Sequence, residues 1–419
     1  MLLLLPLIYF ILLAGYFYSK HQCLNLDISA TLILIAVSVA SVIIDIYDIY
    51  GDYGINEYSV TFPTIILYCT QWTLILLPLH HISSIKIQQH ENHKSFLLYT
   101  LCGICIISSA IMIVTSLKDI REALIMDMVD VYNQNAALRS MGGQTESNYL
   151  MFLPQIFITT PFPTMLLFLW FYMKAFSKGN LILRAGLLGA SIVQAVLSII
   201  VAGRAALVYW IFDFFLLFGY FYQYLSTKLK RNVTIASIVL GGLIVVQMLI
   251  ITLSRFDGEH RTDKEVDPFV SLYAYAGQHV NNFCTMFVEG EDSPMQIGRV
   301  FPLTDKIVNH HSFDLLEHYD NIEAKINAIV NVFDTFGAEL YLDIGWFGYL
   351  FFFILYAFFT FLIKHNWKEL SFHRTFVLVI LLAFFTRGVF AWPFVGHYTT
   401  FALIVFVSLI FLFKHTYKI

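Results

Sequence analysis

The sequence predicts an all-α polytopic membrane protein, with about 11 transmembrane helices and one large outer loop that contains helices of its own. Three observations carry this. Of 419 residues, 58% are hydrophobic and only 13% charged, against roughly 25% charged in soluble domains, and the mean hydropathy is +0.71. The apolar residues come in runs of about 20, the length of helix that crosses a hydrocarbon core. One long polar interval, from Arg255 to Asp343, interrupts them.

In order, spans are expected near 2–18, 28–46, 61–79, 97–116, 151–173, 185–202, 205–225, 233–253, 342–363, 375–394 and 398–413. The run Met1 to Tyr9 has no basic n-region and no small-residue cleavage site, so it reads as a first membrane helix and not as a signal peptide. The runs divide the chain into an N-terminal transmembrane bundle of about eight helices at 1–253, a large periplasmic or extracellular loop at 254–341 and C-terminal transmembrane helices at 342–419. The five cysteines are too few and scattered for a disulfide framework. Cys102-Gly-Ile-Cys105 has redox or zinc spacing, but it sits inside an apolar run without a second ligand pair, which suits buried, inert thiols.

Orientation follows from the loops, because Lys and Arg are retained on the cytoplasmic side. One alternating set of loops holds Lys20, Lys86, Lys94, Lys174, Lys178, Arg184, Lys228, Lys230, Arg231, Lys364, Lys368, Arg374, Lys414 and Lys418, which is 14 of the 25 basic residues. The C-terminus is therefore expected in the cytoplasm, and an odd span count puts the N-terminus outside. The outer basic residues are mostly arginines: Arg121, Arg139, Arg204, Arg255, Arg261, Arg299 and Arg387. Arginine on the side disfavoured for positive charge points to anion binding, since its planar fork grips phosphate or carboxylate in two places; pairing with the abundant outer carboxylates is the plainer reading.

The outer segments differ in character. Tyr47 to Tyr58 is acidic and Tyr-rich, as in an interfacial aromatic belt, with sugar stacking as the alternative. Lys118 to Arg139 carries Ile120, Leu124, Met128 and Val131 at helical spacing and reads as a helix lying at the outer surface. Within the long interval, Phe269 to Phe283 reads as an amphipathic helix able to lie on the membrane or pack on the bundle. A loop at Glu289 to Arg299 and a segment bearing His310, His311, Asp314, His318 and Asp320 follow.

The sharpest signal outside that interval is the tight reversal Ser198 to Trp210. Its small residues let two helices approach closely, and a charge there is costly unless it faces a polar cavity or an anion, which makes Arg204 a functional candidate over a snorkelling arginine. Asp213 lies nine residues on, facing away from Arg204. Candidate bases are His279, His310, His311 and His318, with the carboxylates Asp257, Asp305, Asp314, Glu339 and Asp343; a positioned His or carboxylate can deprotonate a sugar hydroxyl. Glu289 to Asp292 has no matched histidine set and reads as a solvated turn. Nucleotide-binding fingerprints are absent.

Several of these stretches together resemble the Wzy-type oligosaccharide repeat-unit polymerases, or O-antigen polymerases. They are the Gly203-Arg204 reversal, the Arg255-Phe start, Ser271-Leu-Tyr-Ala-Tyr-Ala-Gly277 followed by Asn281-Asn282-Phe283, and Phe333-Asp-Thr-Phe-Gly337 running to Tyr341-Leu-Asp-Ile-Gly-Trp-Phe-Gly348. The likeness covers the whole chain in topology and these motifs in detail. It implies a glycosyltransferase of the bacterial inner membrane that needs no metal or other cofactor. Its partners would be the bilayer, undecaprenyl-pyrophosphate-linked glycan donor and acceptor, a flippase and a chain-length regulator, with no nucleic acid. It also implies that arginines stabilise the departing pyrophosphate, Arg204 as the hairpin arginine and Arg255 as the loop-entry arginine. An arginine followed eleven positions later by glycine, described in some members, does not occur after Arg255, Arg261 or Arg299. The catalytic candidates are thus Arg204, Arg255, His279 and His311, and the substrate-binding candidates Arg261, Arg299, Tyr273, Tyr275, Glu339, Tyr341 and Asp343. An O-antigen ligase shares the architecture and is the nearest alternative; a transporter or flippase usually shows internal repeats and interrupted helices with polar midplane residues, which are not evident here.

Overall fold

A computed structural model describes residues 2–47, 59–87, 96–125, 149–176, 180–201, 205–236, 242, 268–290, 300, 321–322, 335–394 and 397–416. They are overwhelmingly helical. Among the described residues, six helices are long and apolar enough to cross a membrane, or seven if one bent pair is a single span. The described chain forms two compact units, Met1–Gln88 with Tyr273–Ile419, and Gln89–Leu272. The division is discontinuous in sequence: the first three helices belong with the C-terminal ones, where the linear reading grouped all of 1–253.

In the first unit, α1 (Leu4–His21), α2 (Leu26–Tyr47) and α3 (Phe62–Ser83) pack side by side. The helix α3 begins on a capping box, with Thr61 and Thr64 each satisfying the other's backbone amide. Its 22 residues rise about 33 Å, enough for the hydrocarbon core. Tyr68 and Trp72, both fully buried, make it the spine of the unit. Tyr68 meets Phe10 of α1 and Phe283, and Trp72 meets Phe336 and Phe385 at ring-centroid distances of 6.0 and 5.6 Å.

The second unit contains α4 (Phe96–Thr115), α5 (Leu117–Ile125), α6 (Tyr149–Ile158), α7 (Phe162–Phe176), α8 (Leu181–Leu197) and α9 (Ala205–Phe221). The span expected at 151–173 is α6 and α7, bent by 52°. The span expected at 185–202 is the short apolar helix α8, which tightens into a 3-10 turn at Ser198–Val201. Cys102 and Cys105 are buried free thiols. Only the first part of the expected surface helix at 118–139 is described, as the exposed α5. Asp213, which its position on the helix turns away from Arg204, accepts a hydrogen bond from the Thr164 hydroxyl at 2.6 Å. The span expected at 233–253 lies almost entirely outside the described residues.

The first unit is completed by α10 (Pro268–Glu289) from Tyr273 onward, α11 (Phe336–Asn366), α12 (Phe372–Gly388) and α13 (His397–Thr416). Between its helices, Lys86–Ile87 and Glu369–Leu370 pair as the short parallel strands β1 and β2. This pairing ties the C-terminal ends of α3 and α11 together at one end of the unit, which also carries Lys20, Lys364, Lys368 and Arg374. The span expected to begin at 342 begins earlier: α11 starts at Phe336 and breaks at Gly345, where φ is 69° and ψ −165°. The span expected at 375–394 is shorter at its far end, because α12 ends at Gly388.

Candidate functional site

The long interval returns to the first unit through α10, and close helix contact fixes how. Gly277 lies against α2, where a β-carbon would come within 2.4 Å of the Ala40 carbonyl carbon and the Ser41 amide nitrogen. The Ser41 hydroxyl donates to the Gly277 carbonyl at 2.6 Å. Small residues at a helix crossing allow such an approach. Residues 277–287 are buried on every side. Of the two dispositions open to an amphipathic helix here, this part of α10 therefore packs into the bundle. Tyr273 and Tyr275 stand on the same helix, just before the crossing.

His279, two residues into the packed part, is completely buried. Its ring sits edge-on to Phe390 at 5.7 Å, and among the described residues neither ring nitrogen has a hydrogen-bond partner. Burial pushes its pKa down to about 3, so at neutral pH it is an uncharged imidazole. A general base works best with a pKa near the operating pH, so what this neutral ring offers as arranged here is one free donor and one free acceptor among the described residues. The Asn281 side-chain amide is likewise buried without a partner among the described residues. Buried polar groups in this condition call for water or a ligand.

The start of α11 supplies the opposite wall. The Gln71 amide of α3 donates to the Thr335 hydroxyl at 3.3 Å, and Gly337 leaves the room that Gln71 occupies, since a β-carbon there would fall 1.9 Å from its side-chain oxygen. Glu339 is buried and its carboxylate accepts from the Trp392 amide. Asp343, also buried, accepts from the Val300 amide at 2.7 Å. Tyr341 stacks on Phe287 of α10 with centroids 4.4 Å apart. These three expected substrate-binding residues therefore fasten backbone segments and pack α10 against α11 in this arrangement, and their polar atoms are not laid out on a surface.

What they frame is the C-terminal end of α12. Arg387 lies in its last turn, buried, donating to the Thr386 hydroxyl at 3.2 Å. Phe390 leads from there to His279, and Trp392 to Glu339. The structure thus brings His279, Glu339 and Arg387 into one neighbourhood, at the end of the first unit opposite the lysines. Arg387 was visible in the sequence as an outer arginine but no motif marked it; Gln71 and Trp392 carried no signal beyond a polar residue in an apolar run and an aromatic beside a proline. Arg204, Arg255, Arg261, Arg299 and His311 lie outside the described residues.

The fold defines a helical protein with several membrane-spanning helices and a buried polar cluster at one end of its first unit. No family model, no curated protein and no solved structure matches the chain.

Proposed function

We propose that this chain polymerises undecaprenyl-pyrophosphate-linked oligosaccharide repeat units into O-antigen, capsule or exopolysaccharide at the outer face of the bacterial inner membrane, as a metal-independent glycosyltransferase. In that reaction an acceptor hydroxyl attacks the anomeric carbon of the donor glycan, the bond from that carbon to the pyrophosphate oxygen breaks, and negative charge grows on the departing lipid pyrophosphate. Groups aimed at charge that develops in the transition state contribute most to such a step, and arginine is the side chain best shaped for a phosphate. Arg204 and Arg255, with Arg261 and Arg299, are assigned to the pyrophosphate. Tyr273 and Tyr275 are assigned to sugar stacking, and His311 to the acceptor's proton. His279 serves as a neutral hydrogen-bonding group, while Glu339, Tyr341 and Asp343 hold the walls.

The observation that carries this reading is the buried cluster at the end of α12. An arginine from the anion-suited outer set, Arg387, stands beside the two segments of the long interval that carry the family resemblance, and it does so at the end of the unit away from the lysines. The N-terminus outside and the C-terminus in the cytoplasm follow from the same charge distribution.

The test is the surface glycan of a deletion strain, together with the purified protein. Without a polymerase, a single repeat unit should still reach its final acceptor, because ligation is intact. Loss of a ligase would instead leave long polymer on the carrier lipid, and loss of a flippase would trap single units on the inner face; either pattern overturns the proposal. Purified protein supplied with a lipid-linked repeat unit in EDTA, well below its melting temperature, should give a ladder of longer lipid-linked products. Strict dependence of that ladder on added Mg²⁺ or Mn²⁺ contradicts the metal-independent step.

A further inference from the structure

At the end of the first unit opposite Arg387, three side chains from three helices converge. His21 lies in the last turn of α1, Asp27 in the first turn of α2, and His80 in the last turn of α3. The Asp27 side chain is wholly buried, while His21 and His80 remain 12% and 19% exposed. Asp27 Oδ2 lies 3.0 Å from His21 Nε2 and 2.7 Å from His80 Nδ1, and the three ligand atoms all fall within 4.8 Å of one another.

We propose that His21 Nε2, Asp27 Oδ2 and His80 Nδ1 bind a divalent transition-metal ion, zinc foremost, which staples the ends of α1, α2 and α3. The donor set decides the class of metal: two imidazoles and one carboxylate suit zinc and its neighbours, whereas calcium and magnesium take oxygen donors. The spacing fits as well. In a tetrahedral zinc site with bonds of about 2.0–2.2 Å, adjacent donors stand about 3.3 Å apart. The two distances to Asp27 Oδ2, 3.0 and 2.7 Å, need to open by about 0.3 and 0.6 Å to reach that spacing, and the partial exposure of both histidines leaves an entry path.

The surroundings hold these donors in place, as the partners of ligands do in built metal sites. Asp27 Oδ1 is occupied by the Ile28 amide at 2.8 Å, which turns Oδ2 toward the histidines. The Asp27 amide donates to the Ser83 hydroxyl at 3.1 Å, and the Asn25 side chain donates to the Ser83 carbonyl at 3.0 Å. These bonds lock the start of α2 to the end of α3. The His80 ring stacks on Phe17 with centroids 4.7 Å apart, which fixes its plane. A carboxylate that merely joins two imidazoles by hydrogen bonds explains the distances but gives no affinity for metal.

The experiment uses the full chain, purified in detergent with an affinity tag free of histidine, stripped with EDTA and titrated with Co²⁺ alone. One equivalent should bind with the visible ligand-field absorption of a four-coordinate site, and Zn²⁺ should displace it. His21→Gln and His80→Gln should each weaken binding at least tenfold. The chain has 14 histidines, so equal cobalt binding by wild type and both variants would mean adventitious sites and overturn the proposal, as would no binding by wild type. Should either variant fail to fold, X-ray absorption of the zinc-loaded wild type decides: two imidazoles with an oxygen donor are expected, and any other first shell overturns the assignment. Zinc should also raise the melting temperature of the stripped wild type while leaving polymerisation below that temperature unchanged, since the ion is a staple and takes no part in glycosyl transfer.

Discussion

At Gly277 and Gly337 the absence of a β-carbon is what lets two walls of the candidate site close. A methyl group at Gly277 meets α2 backbone, which cannot swing aside. Gly277→Ala should therefore lower stability by about 1–3 kcal/mol or more, whereas Gly15→Ala, with nothing within 4 Å of the added atom, should be neutral or slightly stabilising; melting temperatures of the two variants in the same detergent make the comparison. His279 gives a second prediction at this scale. Its pKa falls to about 3 in the folded protein by burial, against about 6.5 in an unfolded chain. Between those values the unfolded state binds the extra proton, so the stability due to keeping this imidazole neutral is complete above pH 6.5 and is lost as pH falls toward 3, by about 1.4 kcal/mol per pH unit. His279→Leu should flatten the acid limb of the melting profile. An unchanged acid limb would mean that His279 is solvated in the folded protein.

The element that most needs both local and global terms is α11. Its 31 residues are two helices joined at Gly345. The first part is almost wholly buried and builds the site wall. The second turns Phe347, Phe351, Ile354, Phe358 and Phe361 outward, an apolar face suited to lipid, and runs from Trp346 to Asn366, a length of about 31 Å that crosses the hydrocarbon core. The backbone at Gly345 lies in a region open essentially to glycine alone, where another residue costs on the order of 1–3 kcal/mol. Gly345→Ala should lower the melting temperature or straighten the break. Straightening would carry Glu339 and Asp343 away from their amide partners, so distances from spin labels at Ser371 and Thr335, read by double electron–electron resonance, should change.

For the whole molecule the charge distribution and the packing point the same way. The strand pairing and the helix ends gather Lys20, Lys86, Lys364, Lys368 and Arg374 at one end of the first unit, the end that the proposed orientation would place in the cytoplasm. In a Cys23→Ser background, cysteine at the exposed Ser84 should resist an impermeant thiol reagent on intact spheroplasts, while cysteine at Ser293 should be labelled. The opposite pattern would invert the chain and turn the proposed site away from the face where flipped lipid-linked sugars arrive.

Helical class, membrane residence and most helix positions were legible in the residues themselves. An apolar run of about 20 must become a helix in a bilayer whatever its neighbours do, because its own backbone has to satisfy its hydrogen bonds. His279, Glu339, Tyr341 and Asp343 were also legible as polar or aromatic residues of the long interval, but not what they do there. Whether a carboxylate meets solvent or a backbone amide depends on segments far away in sequence, Trp392 for Glu339 and Val300 for Asp343. Only the tertiary structure decided that the first three helices pack with the C-terminal ones. It alone brought Arg387 beside the long interval and set His21, Asp27 and His80 around a common point, because helix neighbours are chosen by matched surfaces such as Gly277 on Ala40 and Ser41, and no run of hydropathy along one chain records which surfaces match.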